Sequence, residues 1–211
     1  MRRLLKGLLP DAWRRWLFVL RQLQPAERRA LLDYARRPPS DWRPVLQRAR
    51  RVSVLCHGNI IRSPFGEAAL ARAARARALP LTVVSAGVGA RNGEPADPRA
   101  VRSAQEFGLD LGAHRATFVD AAHLQVVDVL LVMDRLNLGR LLARFPEAKA
   151  RTFLLGGMEA DGRVTLAEIH DPVAGTADDV RTSHEEVLAA ITRIMDAAFP
   201  PSAPAAVTAR P

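Results

Sequence analysis

Two hydrophobic rhythms divide this chain. Across residues 4–23 the apolar side chains Leu5, Leu8, Leu9, Trp13, Trp16, Leu17, Leu20 and Leu23 return at helical spacing, with Arg14, Arg15 and Arg21 between them. Pro10 predicts a break into two pieces. Pro25, a favourable first-turn residue, opens an expected helix over 25–36 that Pro38 and Pro39 stop, and Ser40 stands where it could cap a short helix to about Arg48. At Arg51 the rhythm changes. A short apolar run, 52–55, leads into a loop containing Gly, Asn, Ser and Pro, and a helical stretch over 65–77 follows. A second strand is expected over 81–85 and a helix over 98–107, closed by Gly108. The nearly unbroken apolar run 126–133 reads as a strand buried on both faces. A helix over 136–144, a strand over 150–155, a loop or irregular strand over 156–170 and a last helix over 178–198 complete the pattern.

Strands alternating with helices predict the α/β class: a three-layer sandwich on a four-stranded parallel sheet, with an N-terminal helical extension. The expected organisation is a basic extension over 1–50, one domain over 51–199, and a disordered Pro/Ala-rich tail over 200–211. Charge sharpens this division. Residues 1–51 hold 14 Lys and Arg against 4 Asp and Glu, so the net charge of +9 is local to the extension and the body is close to neutral. Nucleic acid is therefore not an expected partner of the body, whereas the Trp- and Arg-bearing extension suits peripheral contact with an anionic membrane, or packing on the domain or on a second copy. A single cysteine, Cys56, excludes an intrachain disulfide framework and a multi-thiolate zinc site. With no secretory h-region and no stretch of membrane-spanning length, a cytoplasmic location is expected. No metal or other cofactor is called for, since His57, His123, His170 and His184 show no ligand spacing and read as solvated positions.

Chemistry concentrates in the turn that leaves the first strand. It reads CHGNIIRSP over 56–64, so Cys56 and Arg62 bracket His57, Gly58, Asn59, Ile60 and Ile61. A loop of that length can curl its amides inward at a helix N-terminus, where amides, helix dipole and a guanidinium together hold a phosphate dianion. The same field favours a sulfur anion beneath the phosphorus. Ser63 can donate to that sulfur, and Pro64 suits the first turn of the following helix.

This segment resembles the signature V-x-C-x-G-N-x-C-R-S-P of low-molecular-weight protein-tyrosine phosphatases at every position but one, from Val54 to Pro64. The likeness extends from about Arg51 to Ala198 through Ser85-Ala86-Gly87, residues 96–100 and 112–116, Val132-Met133-Asp134 and Asp171-Pro172. It implies a protein-tyrosine phosphatase with a phosphocysteine intermediate: Cys56 the nucleophile, Arg62 the phosphate clamp, Asp171 the general acid and base. Asn59, Ser63, Ser85 and His114 would form the hydrogen-bond network supporting the loop, with Pro172 beside the acid. The spacing after Gly87 is most like bacterial members associated with exopolysaccharide-export kinases, which makes the tyrosine-phosphorylated tail of such a kinase the implied substrate. Ile60, where an arginine-phosphatase branch has threonine, sides with phosphotyrosine.

The chain also departs from the family pattern. Ile61 replaces a second cysteine that can form a reversible disulfide with the nucleophile, so peroxide is expected to carry Cys56 past the sulfenic acid more readily. Val173 stands where an aromatic often lines the cleft, and Arg91 lies on an opposite wall that lacks the usual aromatic. Two alternatives compete with the phosphatase reading. One is a thiol-dependent arsenate reductase, which here would have to borrow an external thiol; the other is a non-catalytic phosphate-binding adaptor. The oligomeric state is left open by the sequence.

Overall fold

The computed structural model describes residues 11–200, with side chains from Arg14 onward. The expected helical start at Leu4, the Trp13 side chain and residues 201–211 of the expected tail lie outside the described residues. Helix α1 spans Asp11–Gln22, α2 Pro25–Arg36 and α3 Arg43–Arg48. Strand β1, Arg51–Cys56, is followed by α4, Arg62–Ala76, then β2, Thr82–Gly87, and α5, Pro98–Glu106. After α6, Ala121–Gln125, come β3, Val129–Val132, α7, Arg135–Arg144, β4, Thr152–Leu154, and the long α8, Ala177–Ala198.

The strands form one parallel sheet in the order β2-β1-β3-β4, with Cys56 at the end of β1 opposite Gly87 at the end of β2. Because side chains alternate along a strand, the sheet feeds two cores. Val52, Val54 and Cys56, with Leu131, Met133 and Phe153, face α3, α4, α5 and α8; Leu55, Leu130, Val132 and Leu154 face α1, α2, α6 and α7. Helices thus cover both faces of the sheet in a three-layer α/β arrangement. Among the described residues no helix is long and apolar enough to cross a membrane.

The first three helices are built into these cores. Leu31 and Tyr34 of α2 are fully buried, and the Tyr34 hydroxyl donates to the Thr152 carbonyl at 2.9 Å. Trp42 is equally buried and its Nε1 donates to the Glu159 carbonyl at 3.0 Å. Gly139 of α7 permits the close approach, since a Cβ there would stand 3.1 Å from both the Glu27 carbonyl oxygen and Leu23 Cδ1.

Several boundaries move for identifiable reasons. Ser40 does not cap α3; Asp41 takes the Arg43 amide at 2.9 Å and ties down the Arg43 guanidinium as well. Helix α4 starts at Arg62, three residues before the apolar rhythm reveals it, because its first turn belongs to the loop. The run 126–133 is a strand only from Val129: Val126 is exposed and ends α6, which Asp120 caps through the His123 amide at 2.8 Å.

Candidate active site

β1 delivers Cys56 to the carboxyl edge of the sheet, and the chain turns through 57–61 into α4. The direction of each peptide in this turn follows from where its carbonyl goes. Those of Cys56 and His57 accept from the amides of Val88 and Gly89, each at 3.0 Å, and that of Ile60 from the Asp97 amide at 2.9 Å. The Asn59 carbonyl accepts from His114 Nε2 at 2.7 Å, and the Ile61 carbonyl from His184 Nε2 at 3.3 Å. In a trans peptide the N–H points opposite to the C=O. Carbonyls drawn outward therefore turn the amides of His57, Gly58, Ile60, Ile61 and Arg62 inward, and the Asn59 amide donates directly to Cys56 Sγ at 3.2 Å. The result is a cradle of N–H groups around the sulfur, with a helix N-terminus behind it: an anion site.

Asn59 carries the strain of the turn at φ 55°, and its side chain fixes it there. Nδ2 donates to Ser63 Oγ at 2.8 Å and Ser85 Oγ at 2.9 Å, while Oδ1 accepts from the Thr117 amide at 2.8 Å. The Ser85 hydroxyl donates to Glu67 Oε2 at 2.5 Å, and Ser63 Oγ lies 3.0 Å from Cys56 Sγ. With Asn59 donating to Ser63 Oγ, the Ser63 proton has two acceptors within reach, the Cys56 sulfur and the Ala86 carbonyl at 3.4 Å. The sheet neighbour must be glycine for the loop to lie this close: a Cβ on Gly87 would sit 2.3 Å from the His57 carbonyl oxygen.

Charge is arranged around Arg62, which is only 2% exposed. Its Nη1 donates to Asp134 Oδ2 at 2.8 Å and to the Ile169 carbonyl at 3.2 Å, and its Nη2 reaches Asp171 Oδ2 at 2.8 Å. Burial opposes the guanidinium charge, but Asp134, the sulfur of Cys56 and Asp171 outweigh it and hold the pKa above the ordinary arginine range. Asp134 also accepts the Asn137 amide at 2.7 Å as N-cap of α7, so one carboxylate fixes both helix and arginine. Asp171 is the outward member of the set, its side chain 42% exposed, on a turn that buries Pro172 and leaves Val173 open to solvent.

The structure thus places Cys56, Asn59, Arg62, Ser63, Ser85 and His114 in one connected cluster and brings Asp171 to it through Arg62. Arg91 is exposed and makes none of these contacts. Sequence reasoning missed Asp134, Glu67 and the role of His184. Asp134 had a signal, the only carboxylate closing the apolar strand; Glu67 had a weaker one, four residues beyond Ser63 on the same helix. The reading of His184 as solvated is corrected. It is fully buried, stacks on Phe65 with ring centroids 3.9 Å apart, and its Nδ1 meets Ser103 Oγ at 2.9 Å. Desolvation lowers its pKa to about 4, with the Ile61 carbonyl opposing that drop. His123 is also partly buried, against Ser53 at 2.8 Å, while His57 and His170 are exposed. Among the described residues no three His, Cys, Asp or Glu side chains are grouped to hold a metal.

Comparison with known proteins agrees with this geometry. Residues 51–200 match the model of the low molecular weight phosphotyrosine protein phosphatase family. The chain is 36% identical over 152 residues to the probable low molecular weight protein-tyrosine-phosphatase EpsP of Ralstonia nicotianae, covering 72% of this chain and 94% of that one. It is 31% identical over 147 residues to a protein-arginine-phosphatase of Geobacillus stearothermophilus, covering 69% and 94%. Among solved structures, the tyrosine phosphatase Wzb of Escherichia coli K30 in complex with sulphate superposes with a TM-score of 0.61 at 34% identity, over 69% of this chain and 95% of that one. The chain belongs to the low-molecular-weight protein-tyrosine phosphatase family.

Proposed function

We propose that residues 51–199 hydrolyse phosphotyrosine by way of a phosphocysteine, with Cys56, Arg62 and Asp171 as the reacting set. The observation that carries this is the inward ring of amides around Cys56 Sγ, closed by a buried guanidinium that also holds Asp171. A phosphate dianion fits amides and guanidinium together, and the sulfur then lies behind phosphorus on the side opposite the leaving group. Attack forms the S–P bond as the P–O bond breaks, and Asp171 gives its proton to the departing phenolate. The resulting carboxylate takes a proton from water, which attacks phosphorus and releases phosphate. Ser63 donates to the sulfur as it leaves.

The substrate we assign is a tyrosine-phosphorylated protein, specifically the tyrosine-phosphorylated tail of an exopolysaccharide-export kinase. Ile60 and the higher identity to the tyrosine phosphatase EpsP, 36% against 31% for the protein-arginine-phosphatase, support phosphotyrosine over phosphoarginine. For residues 1–50 we propose a second role, peripheral contact with anionic lipid, supported by the excess of Arg and Lys in this segment and the exposed Leu17 on α1; equal pelleting with anionic and neutral vesicles would end it.

The central test is steady-state hydrolysis of an aryl phosphate, a phosphotyrosine peptide and a phosphoarginine peptide. Cys56→Ser should abolish turnover. Asp171→Asn should cost on the order of 10²–10⁴ on the phosphotyrosine peptide and much less on an aryl phosphate with a good leaving group. Equal losses on both would remove Asp171 from the acid role.

A further inference from the structure

The family match begins at Arg51, so α1 lies wholly outside it. It nevertheless stands beside Asp171. A cleft of about 550 Å³ separates the two, lined by Arg15, Phe18 and Val19 of α1 on one side and by Leu136, Ile169 and Asp171 on the other.

Helix α1 is held there by specific packing. Val19 and Leu23 are buried in the core beneath α7. The Arg135 guanidinium lies 4.8 Å over the Trp16 ring, and Arg135 is in turn paired with Glu168, which also accepts the Arg135 amide at 2.8 Å. Glu168 is three residues before Asp171, so the helix rests on the root of the acid-bearing segment. Phe18, by contrast, is 62% exposed and Arg15 is exposed, both toward the cleft.

Chemistry fixes what passes this point. For Asp171 to protonate a leaving oxygen, that oxygen must come within hydrogen-bond reach of its carboxyl. The cleft opens beside Asp171, so substrate residues that pass the carboxyl on that side meet α1. An exposed aromatic ring gains from being covered by an apolar group. Glu168 is engaged by Arg135, and Asp134 and Asp171 by Arg62, so Arg15 leaves positive charge at the rim.

We infer that α1 is a substrate-selecting wall: the cleft takes the residues flanking a phosphotyrosine in an acidic peptide, an apolar or aromatic side chain covering Phe18 and a carboxylate meeting Arg15. This rests on Asp171 as the acid. It gives the extension a specificity role and supplies the grip that Val173 lacks.

The test compares kcat/KM of the full chain for 4-nitrophenyl phosphate, a phosphotyrosine peptide with acidic and aromatic flanks, and one with Gly and Ser flanks, across wild type, Phe18→Ala, Arg15→Glu and Leu17→Ala. The ratio of acidic-peptide to 4-nitrophenyl phosphate activity should fall about tenfold in Phe18→Ala and at least as far in Arg15→Glu. Leu17, on α1 but outside the cleft, should leave that ratio as in wild type, and circular dichroism confirms that α1 stays folded. Unchanged ratios in both cleft variants overturn the inference, as does a rise in activity on every substrate, which would make α1 a cover over the site. Loss of binding to anionic vesicles with unchanged peptide ratios also overturns it, in favour of a lipid surface. Wild type inert toward every aryl phosphate would instead strike the phosphatase assignment itself.

Discussion

Lowering the pH should weaken this fold measurably through His184. The ring is fully buried, its Nε2 proton donates to the Ile61 carbonyl and its Nδ1 accepts from Ser103, so the folded state keeps it neutral down to about pH 4. An unfolded histidine binds a proton near pH 6.5. Between those values the unfolded chain holds the extra proton, so stability falls as pH falls through this window and is whole above it. The loss amounts to about 1.4 kcal/mol at pH 5.5 and about 2.5 kcal/mol at pH 4.5. His184→Phe isolates the effect, because it keeps a flat ring against Phe65 and removes the titration. It also leaves the Ile61 carbonyl and Ser103 hydroxyl without partners, roughly 2 kcal/mol at any pH. Urea unfolding should therefore show wild type ahead by roughly 2 kcal/mol at pH 7.5 and level with or behind the variant at pH 4.5. Taking the difference cancels the other titrating groups, including His57 and His123, whose pKa values partial desolvation also lowers, with Arg140 adding to it at His57. A gap that stays constant within about 0.5 kcal/mol across this range would show that His184 is not held neutral, and the account of how Ile61 is anchored would fail with it.

Asp134→Asn can satisfy either the Asn137 amide or Arg62 but not both, and should cost roughly 2–3 kcal/mol in urea unfolding and at least tenfold in kcat/KM for an aryl phosphate; full activity would show that Arg62 needs no anchor. Gly87→Ala forces the His57 carbonyl aside, so competitive inhibition by inorganic phosphate should weaken about tenfold or more while far-ultraviolet circular dichroism is unchanged. Tyr34→Phe removes the donor to Thr152 and should lower stability by about 1–2 kcal/mol without altering kcat/KM, since it lies on the far side of the sheet from the loop's supports. Peroxide followed by dithiothreitol should restore only part of the activity, because Cys56 has no second thiol to trap its sulfenic acid; complete recovery would refute this.

What was legible in the sequence follows from how local each cause is. The parallel sheet showed itself because β1 and β3 are short and apolar, and helix α2 because Pro25 and Pro38-Pro39 mark its ends within its own segment. Cys56, Gly58, Asn59 and Arg62 were visible because their roles need particular residue types at adjacent positions. The start of α4 was not visible: Arg62 and Ser63 are polar residues buried for the site's sake, and a hydrophobic rhythm sees no helix there. Nor could the rhythm show that α1 faces the Asp171 segment. The Trp16–Arg135 contact joins residues more than a hundred positions apart, and an arginine over a ring leaves no periodic trace.

The cradle shows why the supports escape a motif while the motif itself does not. Five outward carbonyls of the loop, those of Cys56, His57, Asn59, Ile60 and Ile61, are taken by groups from elsewhere in the chain: amides at 88, 89 and 97, and the imidazoles of His114 and His184. A backbone amide is supplied by almost any residue type, so the donors at 88, 89 and 97 impose little on the sequence beyond the glycines that allow approach. The two histidines do impose something, yet each is one side chain on a distant element whose partner is a main-chain oxygen. Physically they are as much a part of the anion site as the glycine and asparagine inside it, because releasing a carbonyl lets its peptide rotate and carries the paired amide out of the ring. The signature names the groups that form the cradle; the direction in which those groups point is decided by the sheet edge, by Asp97 and His114, and by α8.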